Sequence, residues 1–88
     1  MKVLFTKTFE KNIKEINDSK TKSDLLEIIL VVKKASSLAE IPNLKKLKGY
    51  KFYYRIRLRD YRIGIYFEKD IIEFARFAHR KEIYRFFP

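Results

Sequence analysis

Tyr54-Arg55-Ile56-Arg57-Leu58-Arg59-Asp60-Tyr61-Arg62-Ile63-Gly64-Ile65-Tyr66-Phe67 carries apolar side chains at every second position on both sides of Arg59-Asp60. Side chains of a β-strand alternate between faces, so Tyr54, Ile56 and Leu58 share one face and Arg55, Arg57 and Arg59 the other. Arg59-Asp60 is a plausible tight turn, though not one of the strong hairpin dipeptides. The chain returns with Tyr61, Ile63, Ile65 and Phe67 on the apolar face and Arg62, Gly64 and Tyr66 opposite. Glu68-Lys69-Asp70 turns it again, Ile71 to His79 reads as a further strand, and Arg80 to Phe86 as a short helix or a tail packed on the sheet.

Upstream the period lengthens. Phe9, Ile13 and Ile16 make one stripe of a helix from about Thr8 to Asn17. Asn17-Asp18-Ser19 is a turn cluster, and Thr21-Lys22-Ser23-Asp24 matches a capping box with Thr21 as the cap. A second helix is predicted from about Lys22 to Ser37. Leu25, Ile28, Ile29, Val32 and Ala35 or Ser36 form its buried stripe, widened by Leu26, Leu30 and Val31. Met1 to Thr6 reads as a first strand and Glu40 to Gly49 as a connection. The order β-α-α-β-β-β predicts an α+β fold, with an antiparallel sheet carrying a two-helix layer on one face. Residues 1–88 form a single domain near the lower size limit for folding without help.

Composition excludes several classes. With no cysteine and a lone His79, neither disulfides nor a thiolate metal site is available, and the two glycines cannot build a phosphate loop. No cofactor or metal is expected. The opening residues lack the features of a signal peptide, and no apolar run is long enough to cross a membrane, so a cytoplasmic location is expected. The net charge of +10 is unevenly spread: residues 1–42 contribute +2 and residues 43–88 contribute +8. A polyanionic partner is expected to meet the second half.

The ladder Arg55, Arg57, Arg59 with Arg62 across the hairpin reads either as the solvated face of an amphipathic strand or as an anion site. Like charges this close repel unless an anion neutralises them, and only Asp60 lies between, which favours the anion site. Histidine is the side chain type suited to moving protons at physiological pH, so His79 is a candidate acid or base, although alone it reads better as a sheet-edge residue. Arg80 is placed to neutralise a phosphorane. Tyr84 is chemically able to donate a proton, orient a hydroxyl or stack on a base. By ordinary usage Tyr84, Phe86 and Phe87 are more often core packing.

Leu47-Lys48-Gly49, then Tyr54 to Ile63, then His79-Arg80-Lys81-Glu82-Ile83-Tyr84-Arg85, resembles the RelE/ParE toxin superfamily in motif order and spacing, and the element order agrees over the whole chain. None of the three is specific alone. The resemblance implies a type II toxin–antitoxin toxin acting as a ribosome-dependent endoribonuclease. Such enzymes cut messenger RNA without a metal and leave a 2′,3′-cyclic phosphate. It implies catalytic positions at Arg55, Arg57, Arg62, Arg80 and Tyr84, with His79 as a further candidate. Lys45, Lys46, Lys48, Arg59, Lys81 and Arg85 are the expected RNA-binding set. Arg55 and Arg57 stand where some members place lysine, and arginine is a poor base. That role falls to His79, Lys48 or Lys81, or the reaction relies on positioning and charge alone. Tyr84 also follows Arg80 more closely than in the best-known member.

The implied partners are messenger RNA on the ribosome and a cognate antitoxin with an acidic or disordered segment, assembled as a toxin–antitoxin hetero-oligomer. The alternatives are a ParE-like inhibitor of DNA gyrase and a non-catalytic RNA- or ribosome-binding module.

Overall fold

A computed structural model describes residues 1–88. Strand β1 (Lys2–Phe5) leads into helices α1 (Lys7–Lys14) and α2 (Ser19–Lys34), and a 3-10 turn at Leu38–Glu40 follows. Strands β2 (Leu44–Lys46), β3 (Tyr53–Leu58), β4 (Tyr61–Glu68) and β5 (Ile71–His79) come next, and a short helix α3 (Ile83–Phe86) ends the chain. The α+β architecture and the helix pair followed by a three-strand meander match the expectation.

The sheet differs in two respects. Its order is β1-β5-β4-β3-β2, and β1 runs parallel to β5, so it is mixed rather than antiparallel throughout. The two helices between β1 and the meander carry the chain back across one face, as a parallel crossover requires. Within the predicted connection, Leu44–Lys46 pairs antiparallel with β3 as a fifth, edge strand. Three residues are too few for alternation to register.

The core lies between the helices and one sheet face. Phe9 of α1 and Leu25, Ile29 and Val32 of α2 meet Ile56, Ile63, Ile65, Ile72, Phe74 and Phe77. Burying each large aliphatic or aromatic side chain is worth roughly 1.5–3 kcal/mol. Leu26, Leu30 and Val31 do not widen this stripe: they lie on the outer side of α2, with Leu30 55% exposed. The 3.6-residue period carries them away from the sheet.

The start of α2 also departs from the capping-box reading. Asp18 is the cap: its carboxylate accepts the Thr21 backbone N–H at 3.2 Å and the Thr21 hydroxyl at 2.6 Å. Thr21 is thereby a buried residue of the first turn. A carboxylate binds the positive helix end better than a hydroxyl does, which moves the start three residues earlier. Likewise Thr6 caps α1, its hydroxyl accepting the Phe9 N–H at 3.0 Å.

Hydrogen bonds from Thr21 hold the Asp18 carboxyl below the ordinary carboxylate range. A depressed acid stabilises the fold above its unfolded pKa, and that stability is lost as pH falls through the folded value. Asp18→Ala is therefore expected to lower Tm by a few degrees at pH 7, a gap that closes toward pH 2 in thermal melts. A gap independent of pH would contradict the charged cap.

One irregularity in β5 matters for the site. The register passes from Gly64↔Arg76 to Ile65↔Phe74, leaving Ala75 as an extra residue in a β-bulge. Helix α1 and its cap hold it: the Thr6 hydroxyl donates to the Ala75 carbonyl at 2.8 Å, and the Asn12 side-chain oxygen accepts the Phe77 N–H at 3.0 Å. The bulge switches the alternation, so Phe77 faces the core as Ile72 and Phe74 do. His79, two residues on, falls on that same side. No helix is long and apolar enough to cross a membrane.

Candidate functional site

The sheet face turned away from the helices carries the charge. Arg57 lies directly opposite Arg62 across the β3–β4 hairpin, and Arg55 opposite Gly64. The Arg55 guanidinium donates to the Asn43 carbonyl at 3.0 Å, and the Arg57 backbone N–H reaches the same carbonyl at 3.2 Å. Asn43 takes a left-handed φ of 61°, which aims its carbonyl at β3. Arg62 is half-buried, and its guanidinium donates to the carbonyls of Arg59 and Tyr61, each at 2.8 Å. Arg80 is tethered through its backbone N–H, which donates to the Asp60 carbonyl at 2.7 Å.

These groups act on one another. Burial pushes the Arg62 guanidinium below its ordinary pKa; the Arg55, Arg57 and Arg80 charges push the same way, and the Tyr84 phenol opposes them. A shallow groove of about 530 Å³ opens here, lined by Asn43, Arg57, Arg59, Asp60, Arg62 and Arg80 among others. The one carboxylate on the groove, Asp60, lies 3.9 Å from the Arg80 Nε. A second hollow of about 260 Å³ continues the groove past Asn43, Lys45, Arg55 and Arg57. Guanidiniums in this density suit a phosphate, which accepts paired N–H donors and neutralises the repulsion. No three His, Cys, Asp or Glu side chains gather as a metal site would need.

The remaining candidates are dispersed. Arg59 leaves the ladder: its φ of 52° at the hairpin turn swings the side chain toward α2. There it pairs with Asp24 and donates to the Thr21 hydroxyl at 3.2 Å. The charge run was read as one strand face, but the strand ends at Leu58. His79 lies on the helix side of the sheet, its ring 5.6 Å from that of Tyr61. Its Nδ1 accepts the Lys81 N–H at 3.1 Å. Lys45 is opposite Arg55 on the basic face, whereas Lys46 is opposite Tyr54 and so falls on the other one. Lys48 sits in the loop after β2, and Lys81 and Arg85 are exposed around α3.

Asn43 and Tyr50 were missed from sequence, and the link between Gly64, read as a residue of this face, and Phe87, read as core packing, was not foreseen. A Cβ on Gly64 would stand 2.7 Å from the Phe87 ring, so the close approach of that ring requires glycine. Phe87 and Ile83 are buried, and between them Tyr84 is held at the surface, 57% exposed. The glycine flanked by isoleucines was the available signal, since glycine inside a strand often marks a close approach.

The model of the ParE toxin family of type II toxin–antitoxin systems matches residues 3–84. The chain belongs to the RelE/ParE toxin family. This family member is 47% identical to Toxin RelE3 of Methanocaldococcus jannaschii over the whole of both chains. It is also similar to the toxin fold in the RelB-RelE antitoxin-toxin complex from Methanococcus jannaschii, with a TM-score of 0.80 and 42% identity over 97% of this chain and 99% of that one. The archaeal RelE-RelB complex from Pyrococcus horikoshii shares the fold alone. Its TM-score is 0.69 at 22% identity, over 90% of this RelE-like toxin and 93% of that chain.

Proposed function

We propose that this RelE-like toxin is a messenger RNA interferase that cuts transcripts on the ribosome. A ribose 2′-oxygen attacks its own 3′-phosphate; the new 2′-oxygen–phosphorus bond forms as the bond to the 5′-oxygen breaks, leaving a 2′,3′-cyclic phosphate and a 5′-hydroxyl. Arg55, Arg57, Arg62 and Arg80 carry the charge of the phosphorane. Tyr84 gives its proton to the leaving 5′-oxygen. No arginine serves as the base and His79 faces the helices, so the 2′-hydroxyl proton passes to solvent water, water returns a proton to Tyr84, and the rate depends chiefly on positioning and charge stabilisation. The supporting observation is the gathering of Arg55, Arg57, Arg62 and Arg80 with the Tyr84 phenol about one groove, where Asp60, 3.9 Å from the Arg80 Nε, is the one carboxylate of the lining.

A cognate antitoxin is the second partner. An acidic, flexible segment laid over the basic face and the exposed α2 side chains would neutralise the same arginines and close the groove. The relatives solved as toxin–antitoxin complexes support this. A cytoplasmic site of action goes with both partners.

The test is transcript cleavage with and without ribosomes. Cleavage is expected only with ribosomes, with cyclic phosphate ends, and Arg80→Ala combined with Tyr84→Phe removes both cleavage and growth arrest. If both activities survive those changes, the mechanism is wrong. Gyrase inhibition is the second reading, favoured by the ParE description of the matching family model. A supercoiling assay separates the two: inhibition of gyrase by the double variant would establish that reading. Salt-sensitive RNA binding without cleavage would instead mark a non-catalytic binder.

A further inference from the structure

Past the guanidiniums, the same sheet face becomes aromatic. Tyr53 makes edge-on contacts with Tyr50 at 5.7 Å, Tyr66 at 5.2 Å and Phe87 at 5.4 Å between ring centres. Tyr66 is fixed by a hydrogen bond to Glu68, which pushes its phenol up to about 12, so it stays protonated and packs. At the margin of this cluster lies a pocket of about 290 Å³ lined by Leu47, Lys48, Tyr50, Tyr84, Phe87 and Pro88. No Asp or Glu side chain lines it.

The turn Leu47-Lys48-Gly49-Tyr50 builds one wall. The Tyr50 N–H donates to the Leu47 carbonyl at 3.3 Å, and Gly49, at the third turn position, has φ +86°, a backbone that side chains resist. Tyr50 is 49% exposed although it touches Tyr53, and Tyr84, the other wall, is more exposed still. Two half-covered phenol rings over a phenylalanine floor, with an ammonium at the rim, match the requirements of a flat, electron-rich ring attached to a polyanion. Tyr84 belongs to both regions, since it lines this pocket and also acts on Arg62.

We propose that this pocket receives one nucleobase of the RNA whose phosphates the guanidiniums hold, with Tyr50 and Tyr84 as stacking walls, Phe87 as floor and Lys48 at the rim. The assignment rests on the RNA reading of the basic face and extends it to Tyr50, Leu47 and Lys48. It makes Tyr50 a residue that sets RNA affinity and base preference without handling the phosphate.

The test uses the full chain and a short oligoribonucleotide, 2′-O-methylated to prevent cutting, with an abasic site walked along it. Affinity is read by fluorescence anisotropy at fixed salt. One abasic position is expected to weaken binding about five- to hundredfold. Tyr50→Ala should lose a similar factor on the intact strand and almost nothing further on that abasic strand, while Tyr50→Phe restores binding. Tyr50→Leu, which keeps the packing on Tyr53 and removes the aromatic face, should behave as Tyr50→Ala does. Binding that is absent, that ignores every abasic position, or that falls equally for intact and abasic strands in Tyr50→Ala and Tyr50→Leu overturns the pocket. Base-dependent binding without ribosomal cleavage upholds the pocket and removes the nuclease reading. Cleavage with unaltered base dependence in the Tyr50 variants does the reverse.

Discussion

Arg62→Ala is expected to lower the single-turnover rate of transcript cleavage by about 10²- to 10³-fold, the scale of losing one preorganised charge at a transition state, while leaving the fold at least as stable as before. The two halves of that result have one cause. Arg62 is half-buried, and burial followed by the Arg55 charge leads the influences that hold its guanidinium below its ordinary pKa. A cation whose folded pKa is depressed is disfavoured by folding at every pH below that value, so the penalty is fully present at neutral pH. Alanine removes it, along with two hydrogen bonds to the carbonyls of Arg59 and Tyr61. Those carbonyls lie at the hairpin turn, where water can replace the lost donors.

Inorganic phosphate provides the internal control. An anion that binds the folded state raises Tm by mass action. Millimolar phosphate should therefore stabilise the unaltered protein more than Arg62→Ala in paired thermal melts. A variant that cleaves at the original rate would remove Arg62 from the chemistry. One that melts far lower, with phosphate acting equally on both proteins, would show Arg62 to be a structural residue.

The part of this site that sequence disclosed is the part that strand alternation controls. Arg57 and Arg62 could be placed on one face because both lie in regular stretches and the two-residue turn fixes their register. The period fails where the backbone departs from it. Arg59 continues the run of letters but not the strand, and its left-handed φ sends it to Asp24. His79 was turned to the helix side by the bulge at Ala75, which depends on Thr6 and Asn12, more than sixty residues away in sequence. Nothing local marks that bulge. The parallel pairing of β1 with β5 is equally non-local. The start of α2 was a competition between Asp18 and Thr21, both acceptable caps, decided by charge. The aromatic pocket was out of reach, because Tyr50 and Tyr84 lie in separate segments that meet only when Phe87 docks.

That docking yields the second large effect. Gly64→Ala places a methyl group 2.7–2.8 Å from three atoms of the Phe87 ring. The contacted atoms are at the root of the ring, so a small rotation does not relieve the clash, and the segment from Ile83 onward must shift. Overpacking of this kind costs roughly 1–3 kcal/mol, partly offset because alanine suits a strand better than glycine does. The functional loss should exceed the loss of stability. Tyr84, which acts on Arg62, is carried by its buried neighbours Ile83 and Phe87, and a displacement of about 1 Å can lower a rate about 10²-fold. Gly64→Ala is thus expected to be folded by circular dichroism and close to inactive in the ribosomal cleavage assay. Phe87→Ala removes Cγ, Cδ1 and Cδ2 and with them the clash, so the loss caused by Gly64→Ala should be recovered in the Phe87→Ala background, where the two variants with alanine at 87 should match each other. Such recovery is a coupling between contacting residues, measurable as a double-mutant cycle. Strictly additive losses would mean that the C-terminal segment does not position Tyr84 through Gly64.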